Sequence, residues 1–223
     1  MPTATTAVDQ LTLRRAMVDC QLRPNDVTQP ALVAAALHVP REAFVPAAHA
    51  AMAYGDRAVP LGDSRALNPT LTTARLIADA DVQAGHHVLV IGGATGYAAA
   101  LLAQLGAVVV MVESAPALVA AARAALAGNA AITILDGPLA DGAPGQRVFD
   151  RLIIDGAVEA VPAALYAQLA DGARVATGLM DRGVTRLARA VHIAGQAAVQ
   201  PLPFHDLECV HLPGFAPNPS FTF

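Results

Sequence analysis

The sequence predicts a single α/β domain with a mostly parallel sheet, preceded by a helical extension. After His87, short β-branched runs alternate with Ala- and Leu-rich stretches at helical spacing, which is typical of βαβ units whose sheet is covered on both faces. Before residue 81 the apolar pattern is helical. Near the end of the chain, alternating runs follow one another without a helical spacer, which indicates an antiparallel pair that completes the sheet.

The extension is predicted to consist of helices joined by turns. Thr28 is the predicted N-cap of the second helix, and Pro40 ends that helix. Residues 53–69 contain several glycines and prolines with little periodicity, so they are predicted as a loop. The predicted helices cover residues 11–22, 30–39 and 70–80.

The α/β part follows a regular order in which strands of four to six apolar residues alternate with helical patterns. We divide the chain into an extension over residues 1–80, which includes the substrate side, and an α/β domain over residues 81–223, and we expect them to form one compact unit. The predicted strands are 88–91, 108–112, 132–135, 151–154 and 174–177; the helices are 97–105, 117–126 and 162–169; the antiparallel pair is 185–193 and 206–212.

Composition excludes several classes of protein. Of the 223 residues, 55% are hydrophobic and 14% charged, which is unlike a disordered tail, and a net charge of −4 disfavours nucleic acid. The longest apolar stretch, residues 98–112, is interrupted by Gln104 and Gly106 and is too short to span a bilayer. Two cysteines, Cys20 and Cys209, form neither a disulfide framework nor a metal motif, so we expect a reduced, cytoplasmic protein without a metal.

The most informative segment is Val88-Leu-Val-Ile-Gly-Gly-Ala-Thr-Gly-Tyr97, in which a strand leads through a glycine turn into a helix. Such a turn brings backbone N–H groups close to a ligand. Glu113 ends the next strand, 21 residues after Gly92, where an acidic side chain can accept hydrogen bonds from both ribose hydroxyls. The segment therefore predicts a nucleoside site. Tyr97 is either a ligand shelf or part of the helix packing.

Both a dinucleotide and S-adenosylmethionine use this geometry. The glycines do not fit the G-x-G-x-x-G pattern, and a long extension precedes the first strand. Asp136-Gly137 directly follows the third strand, where an aspartate can meet the adenine amino group. These features favour S-adenosylmethionine, with a nicotinamide cofactor as the alternative.

Several separated segments also resemble the protein-L-isoaspartate O-methyltransferase family, over nearly the whole chain and in the family's order. They correspond to its "AM..VPR..FVP", "AY.D..PLPIG", "VLEIGTGSGY", "GDG", "YDAIIV" and "LPG" motifs. The matching residues are Leu37–Pro46, Ala53–Asp56 with Pro60–Gly62, Val88–Tyr97, Asp136-Gly137, Phe149–Ile154 and Leu212–Gly214.

The resemblance implies a Rossmann-like, seven-stranded class I methyltransferase fold. It implies S-adenosylmethionine as methyl donor, S-adenosylhomocysteine as product, and a carboxylate of a protein, peptide or small molecule as acceptor, in the family the isoaspartyl residues of damaged proteins. Asn68 and Thr70 occupy the segment that the family uses for its substrate. The cofactor residues carried over are Gly92, Gly93, Ala94, Gly96, Tyr97, Glu113, Ser114, Asp136, Gly137 and Asp155.

The chain departs from the family pattern on both sides of the expected site. The substrate segment "T-I-S-Q-P" reads Arg65-Ala-Leu-Asn-Pro69 here, without a hydroxyl residue. Val90 replaces the acid before the first glycine, Ala94 the middle glycine of the turn, and Asp155 a hydroxyl residue after the fourth strand. The alternatives are a methyltransferase with another acceptor and a non-catalytic descendant. No catalytic base is assigned, because a carboxylate acceptor is already ionised at neutral pH.

Overall fold

A computed structural model describes residues 6–196 and 199–215. Its main sheet has seven strands in the order β5-β4-β3-β6-β7-β8-β9; the first five in this order run parallel, and β8 and β9 are antiparallel. This confirms the predicted mostly parallel sheet with an antiparallel end. The strands are β3 His87–Ile91, β4 Val108–Glu113, β5 Ile132–Asp136, β6 Phe149–Val158, β7 Leu169–Asp181, β8 Val184–Val191 and β9 Leu202–His205.

The helical extension is also confirmed. Its first helix continues into a π-helical turn over Val18–Leu22, and short 3-10 turns lie at Arg41–Phe44 and Ala47–Met52. Gln29, not Thr28, is the N-cap of the second helix, because Pro30 fixes the first helical position. The α-helices are α1 Thr6–Met17, α2 Pro30–His38, α3 Thr70–Asp79, α4 Tyr97–Gln104, α5 Pro116–Ala125 and α6 Ala163–Tyr166.

Two predicted elements are wrong. Residues 53–69 contain a two-stranded hairpin, β1 Val59–Gly62 and β2 Arg65–Leu67, because Asp63 and Ser64 both adopt positive φ and form a tight turn. The strand predicted at 206–212 is instead Leu202–His205. The predicted segment leaves the sheet edge and returns to β6, where Ala157 donates to the Val210 carbonyl (2.7 Å).

The sheet separates two apolar layers. One contains helices α2 to α5 with the extension, so that Met17 and Leu22 lie in the same buried cluster as Leu101. The other lies on the opposite face, where Phe149 and Tyr166 are its largest fully buried side chains. Residues before and after position 81 thus contribute to one core.

Over residues 6–196 and 199–215 the helices are all too short or too polar to cross a bilayer. In the same residues, no three His, Cys, Asp or Glu side chains are grouped so as to hold a metal ion.

Candidate functional site

The candidate site lies at the carboxyl edge of the parallel strands. From β3 the chain passes to β4 on one side and reaches β6 on the other, so the strand order reverses between β3 and β6. Ligands of open α/β sheets bind outside the carboxyl ends of the strands at such a reversal. The register pairs Glu113 with Asp136 and Ile91 with Ile154, so the glycine turn and three acidic residues, Glu113, Asp136 and Asp155, lie along one edge.

The glycine turn adopts a conformation that its sequence permits. Gly92 and Gly96 have φ of 71° and 99°, and Gly96 is the N-cap of α4. A Cβ at Gly93 would lie 2.5 Å from the Met111 side chain, so a larger residue does not fit there without displacing the core. Ala94 has φ of 51°, a left-handed conformation that costs an alanine about 1 kcal/mol.

Glu113 is fully buried and its carboxylate is shared between the turn and a hairpin arginine. The Ala94 amide donates to Oε2 (3.0 Å), and the Ser114 and Ala115 amides donate to Oε1 (2.8 and 3.1 Å). Arg65 of β2 completes the shell with a two-point ion pair, Nη1 to Oε1 at 2.5 Å and Nη2 to Oε2 at 2.9 Å. Glu113 therefore stabilises the glycine turn as well as the start of α5.

Asp136 and Gly137 face open space beside Glu113. Asp136 is exposed at the end of β5, and a Cβ built on Gly137 would meet no atom within 4 Å. An exposed carboxylate and an unobstructed backbone here leave room for a ligand group.

The predicted acceptor segment is buried against Asp155. Asn68 donates to the Asp155 side chain (2.9 Å) and carbonyl (2.8 Å), and its own Oδ1 accepts from the Val210 amide. Thr73 donates to the same Asp155 oxygen at 2.9 Å. Burial raises the pKa of Asp155, although these hydrogen bonds and two nearby arginines oppose the rise. Thr70 is buried, and its hydroxyl has no partner among the described residues.

A buried arginine connects this segment to α4. Arg41 is fully buried and donates to the Ala53 carbonyl (2.6 Å) and the Asn68 carbonyl (2.5 Å). Its guanidinium lies 4.8 Å from the ring centre of Tyr97, which is itself fully buried. Burial lowers the pKa of Arg41. The Tyr97 side chain thus belongs to the interior packing.

Sequence reasoning missed Arg41, Arg65 and Thr73. Arginine is seldom buried, so Arg41 is expected at the surface. Arg65 offered a signal, because it is the only charged residue between Asp63 and Arg75. Its partner Glu113 is 48 positions away, and only the fold brings the two together.

The chemistry of these carboxylate acceptors fits a nucleoside cofactor. Glu113 and Asp136 end adjacent strands next to a glycine turn, and the space at Gly137 is free. Val90, in place of the family's acid, is buried in the core. The strand order, the turn and the two acids together define a nucleoside-binding α/β protein of the class I methyltransferase type.

The comparisons with known proteins specify the family. The sequence profile of the family "Protein-L-isoaspartate(D-aspartate) O-methyltransferase (PCMT)" matches residues 13–201. The protein-L-isoaspartate O-methyltransferase of Gloeobacter violaceus is 37% identical over 179 residues, which are 78% of this chain and 87% of that protein. The enzyme of the same name from Methylorubrum populi is 37% identical over 177 residues, 79% of this chain and 84% of that protein. The chain belongs to the PCMT family.

Solved structures agree on the fold. A protein-L-isoaspartate O-methyltransferase structure covers 90% of this chain and 66% of its own, with a TM-score of 0.79 at 20% identity. A Plasmodium falciparum structure described as a PCMT in complex with S-adenosyl-L-homocysteine has a TM-score of 0.74 at 13% identity, and the match covers 91% of this chain and 97% of that one.

Proposed function

We propose that this protein transfers the methyl group of S-adenosylmethionine to the side-chain carboxylate of isoaspartyl residues in damaged proteins or peptides. Membership of the PCMT family supports the reaction. The observation that carries the cofactor assignment is the placement of the glycine turn, Glu113 and Asp136 side by side at the carboxyl edge of the sheet.

The cofactor residues divide by position. Glu113 is proposed to bind the ribose hydroxyls and Asp136 the adenine amino group. The backbone of Gly92, Gly93, Ala94, Gly96 and Tyr97 would hold the remainder of the ligand, and Ser114, Gly137 and Asp155 complete the proposed set. When bound, S-adenosylmethionine supplies a methyl group on a positively charged sulfur, which an ionised carboxylate accepts without a general base. The protein's contribution is then to align the two groups and exclude water.

On the acceptor side, Asn68 and Thr70 are the proposed substrate residues, and the Asp155 carboxylate lies next to Asn68. A second carboxylate would repel the acceptor if it were ionised. Burial and the raised pKa of Asp155 favour its neutral form, and the donors Asn68 and Thr73 hold it in place. Burial of Asp155 therefore reduces the repulsion between its carboxyl group and an acidic substrate.

A cytoplasmic location is part of the proposal. Exposed Cys20 and buried Cys209 are both unpaired, as is usual for proteins of a reducing compartment.

The reaction is tested by incubating the purified protein with methyl-labelled S-adenosylmethionine and an isoaspartyl peptide, beside the same peptide with ordinary aspartate. We expect label on the isoaspartyl peptide alone, released as methanol in mild base. Calorimetry with S-adenosylhomocysteine tests the cofactor separately. Glu113→Gln is expected to weaken this binding about tenfold to hundredfold, since a hydrogen bond to a charged group contributes about 1.5–3 kcal/mol. Asp141→Asn, at an exposed position, is the matched control.

The outcomes separate the alternatives. Binding of S-adenosylhomocysteine with label on neither peptide would leave a methyltransferase with another acceptor, which the absence of a hydroxyl residue in the substrate segment favours, or a non-catalytic descendant. Methyl transfer to any acceptor in a cell extract would then exclude the non-catalytic descendant. Absence of binding at millimolar ligand would refute the cofactor assignment.

A further inference from the structure

The carboxylate assigned to the ribose has no acceptor capacity left. An ionised carboxylate offers about four lone-pair sites. Glu113 receives five donors: two from Arg65 and one each from the amides of Ala94, Ser114 and Ala115. The Glu113 side chain is 0% exposed. A ribose hydroxyl therefore has neither a free acceptor nor a path to this residue while all five contacts are present.

Of these donors, Arg65 is the one that can leave. The three amides belong to the glycine turn and to the start of α5, which are fixed by the main sheet. Arg65 belongs to the β1–β2 hairpin, whose strands, within the part of the chain that the structure describes, pair with each other and not with the main sheet. Val59 and Leu67 are buried in the core, whereas Gly62, Asp63 and Ser64 beside Arg65 are exposed, so the turn end of the hairpin is the part that can move. Its turn, at Asp63 and Ser64, is in a left-handed conformation.

Arg65 is also incompletely satisfied where it lies. Its side chain is 6% exposed, and its Nε has no hydrogen-bond partner among the described residues. A buried donor without a partner is energetically unfavourable, so the closed arrangement contains a free-energy penalty that is relieved when the side chain returns to water. This penalty reduces the free-energy difference between the state in which Arg65 binds Glu113 and the state in which the Arg65 side chain is in water.

We propose that Arg65 competes with the cofactor ribose for Glu113, and that displacement of the β1–β2 hairpin precedes cofactor binding. This inference rests on the proposed function. Arg65 is then the residue that sets cofactor affinity, because every bound cofactor must first break a buried two-point ion pair.

The displacement also reaches the acceptor side. β2 ends at Leu67, and the next residue, Asn68, binds Asp155 through its amide and Arg41 through its carbonyl. Withdrawal of Arg65 pulls on the chain at this point. Because Arg65 and Asn68 are three residues apart, we expect movement of Arg65 away from Glu113 to change the position of the acceptor segment as well.

The test compares binding of S-adenosylhomocysteine to the wild type, Arg65→Met and Arg57→Met by calorimetry. The methionine side chain retains apolar bulk without the charge, and Arg57 is an exposed arginine beside the same hairpin. We expect Arg65→Met to bind about tenfold more tightly or better, and Arg57→Met to bind like the wild type. Arg65→Lys, whose ammonium cannot form the two-point ion pair, is expected to bind S-adenosylhomocysteine with an affinity between those of the wild type and Arg65→Met. It replaces Arg65→Met in the test if that variant does not fold.

Hydrogen exchange supplies a readout that needs no variant. In the wild type, S-adenosylhomocysteine is expected to accelerate amide exchange across residues 59–67 while it slows exchange in the glycine turn. If the wild type binds and Arg65→Met binds equally or more weakly, or if the ligand slows exchange in the hairpin, Arg65 is not a competitor and the inference fails while the proposed function stands. If wild type and Arg65→Met both fail to bind, the proposed function fails and the inference fails with it.

Discussion

At the scale of single residues, burial rather than charge pairing governs the acceptor side of the site. Asp155 is 3% exposed, and its carboxylate accepts from Asn68 and Thr73. Arg41 and Arg65 are near enough to oppose the rise in its pKa, yet desolvation is the larger effect. The balance between desolvation and these opposing contacts determines whether the Asp155 carboxyl group is neutral or ionised when a substrate binds.

This balance has a measurable consequence for Asp155→Asn. Because the pKa of Asp155 is raised in the folded state, the native protein binds more protons than the unfolded chain between the two pKa values. Its contribution to the free energy of unfolding is therefore largest at low pH and falls as pH rises through that window. Asp155→Asn keeps the hydrogen-bond geometry and removes the titration. We expect the variant to gain stability relative to the wild type as pH rises above the ordinary pKa of an aspartate, about 4, in urea unfolding.

The control for this experiment is Asp141→Asn, at an exposed position, for which the difference from the wild type should change little with pH. A constant difference for Asp155→Asn, or one that shifts in favour of the wild type as pH rises, would show that folding does not raise the pKa of Asp155.

How far single residues could be predicted depended on how local their signal is. Glu113 and Asp136 were found because each follows a recognisable strand, and the fold places them at one edge. Arg65 and Arg41 could not be assigned roles, because their partners lie 48 and 27 positions away. The residues next to each arginine in the sequence do not indicate that it is buried or paired. Strand periodicity predicts an edge of the sheet, but not which side chain from elsewhere will cover it.

At the scale of elements, the segment after β9 packs against the carboxyl-terminal parts of β3 and β6, the two strands between which the strand order reverses. Leu212 is fully buried, and its side chain lies against Gly92 at the end of β3 and Gly156 in β6. Its amide donates to the Ala157 carbonyl at 2.9 Å. This segment was predicted as a strand because it alternates, but it pairs with β6 only through an isolated bridge at His211.

The contact between Leu212 and Gly156 predicts a compensating pair of substitutions. A Cβ on Gly156 would lie 2.3 Å from Leu212 Cγ, so Gly156→Ala overpacks the site and should cost about 1–3 kcal/mol. Leu212→Ala leaves a cavity and should cost about 2–5 kcal/mol. In the double variant the new methyl group occupies part of that cavity, so the total loss should fall below the sum of the two by about 1 kcal/mol or more.

Urea unfolding of the four proteins measures this coupling. Gly137→Ala is the matched control, since a Cβ there meets no atom within 4 Å and should change stability by less than about 1 kcal/mol. Strictly additive losses of stability would mean that residues 156 and 212 are not in contact in solution.

The β1–β2 hairpin shows why short elements are difficult to predict from the sequence. β1 and β2 have four and three residues, too few for alternation to be recognised beside prolines and glycines. Its turn is formed by Asp63 and Ser64, which tolerate positive φ less readily than Asn-Gly and so give a weaker turn signal.

At the scale of the whole molecule, the extension and the α/β part are joined by polar contacts as well as by apolar packing. Thr95, in the glycine turn, donates to the Phe44 carbonyl at 2.5 Å, and Arg41 lies over the Tyr97 ring. The fold class was predictable because βαβ periodicity is repeated over more than half of the chain. The packing of the extension was not predictable, because the residue pattern of its helices does not indicate which elements they contact.

These contacts predict that the chain unfolds as one cooperative unit, and its three tyrosines are natural probes. Tyr54 lies in the extension, where it binds Arg14 and Glu42; Tyr97 begins α4, between the extension and the sheet; Tyr166 lies in the opposite apolar layer. With 3-fluorotyrosine incorporated, the three native fluorine resonances should disappear at the same urea concentration, assigned by single Tyr→Phe substitutions. Far-UV circular dichroism should give the same midpoint. If the Tyr54 resonance were lost at a lower concentration than that of Tyr166, the extension would be a separate folding unit, and the division at residue 80 would be a true domain boundary.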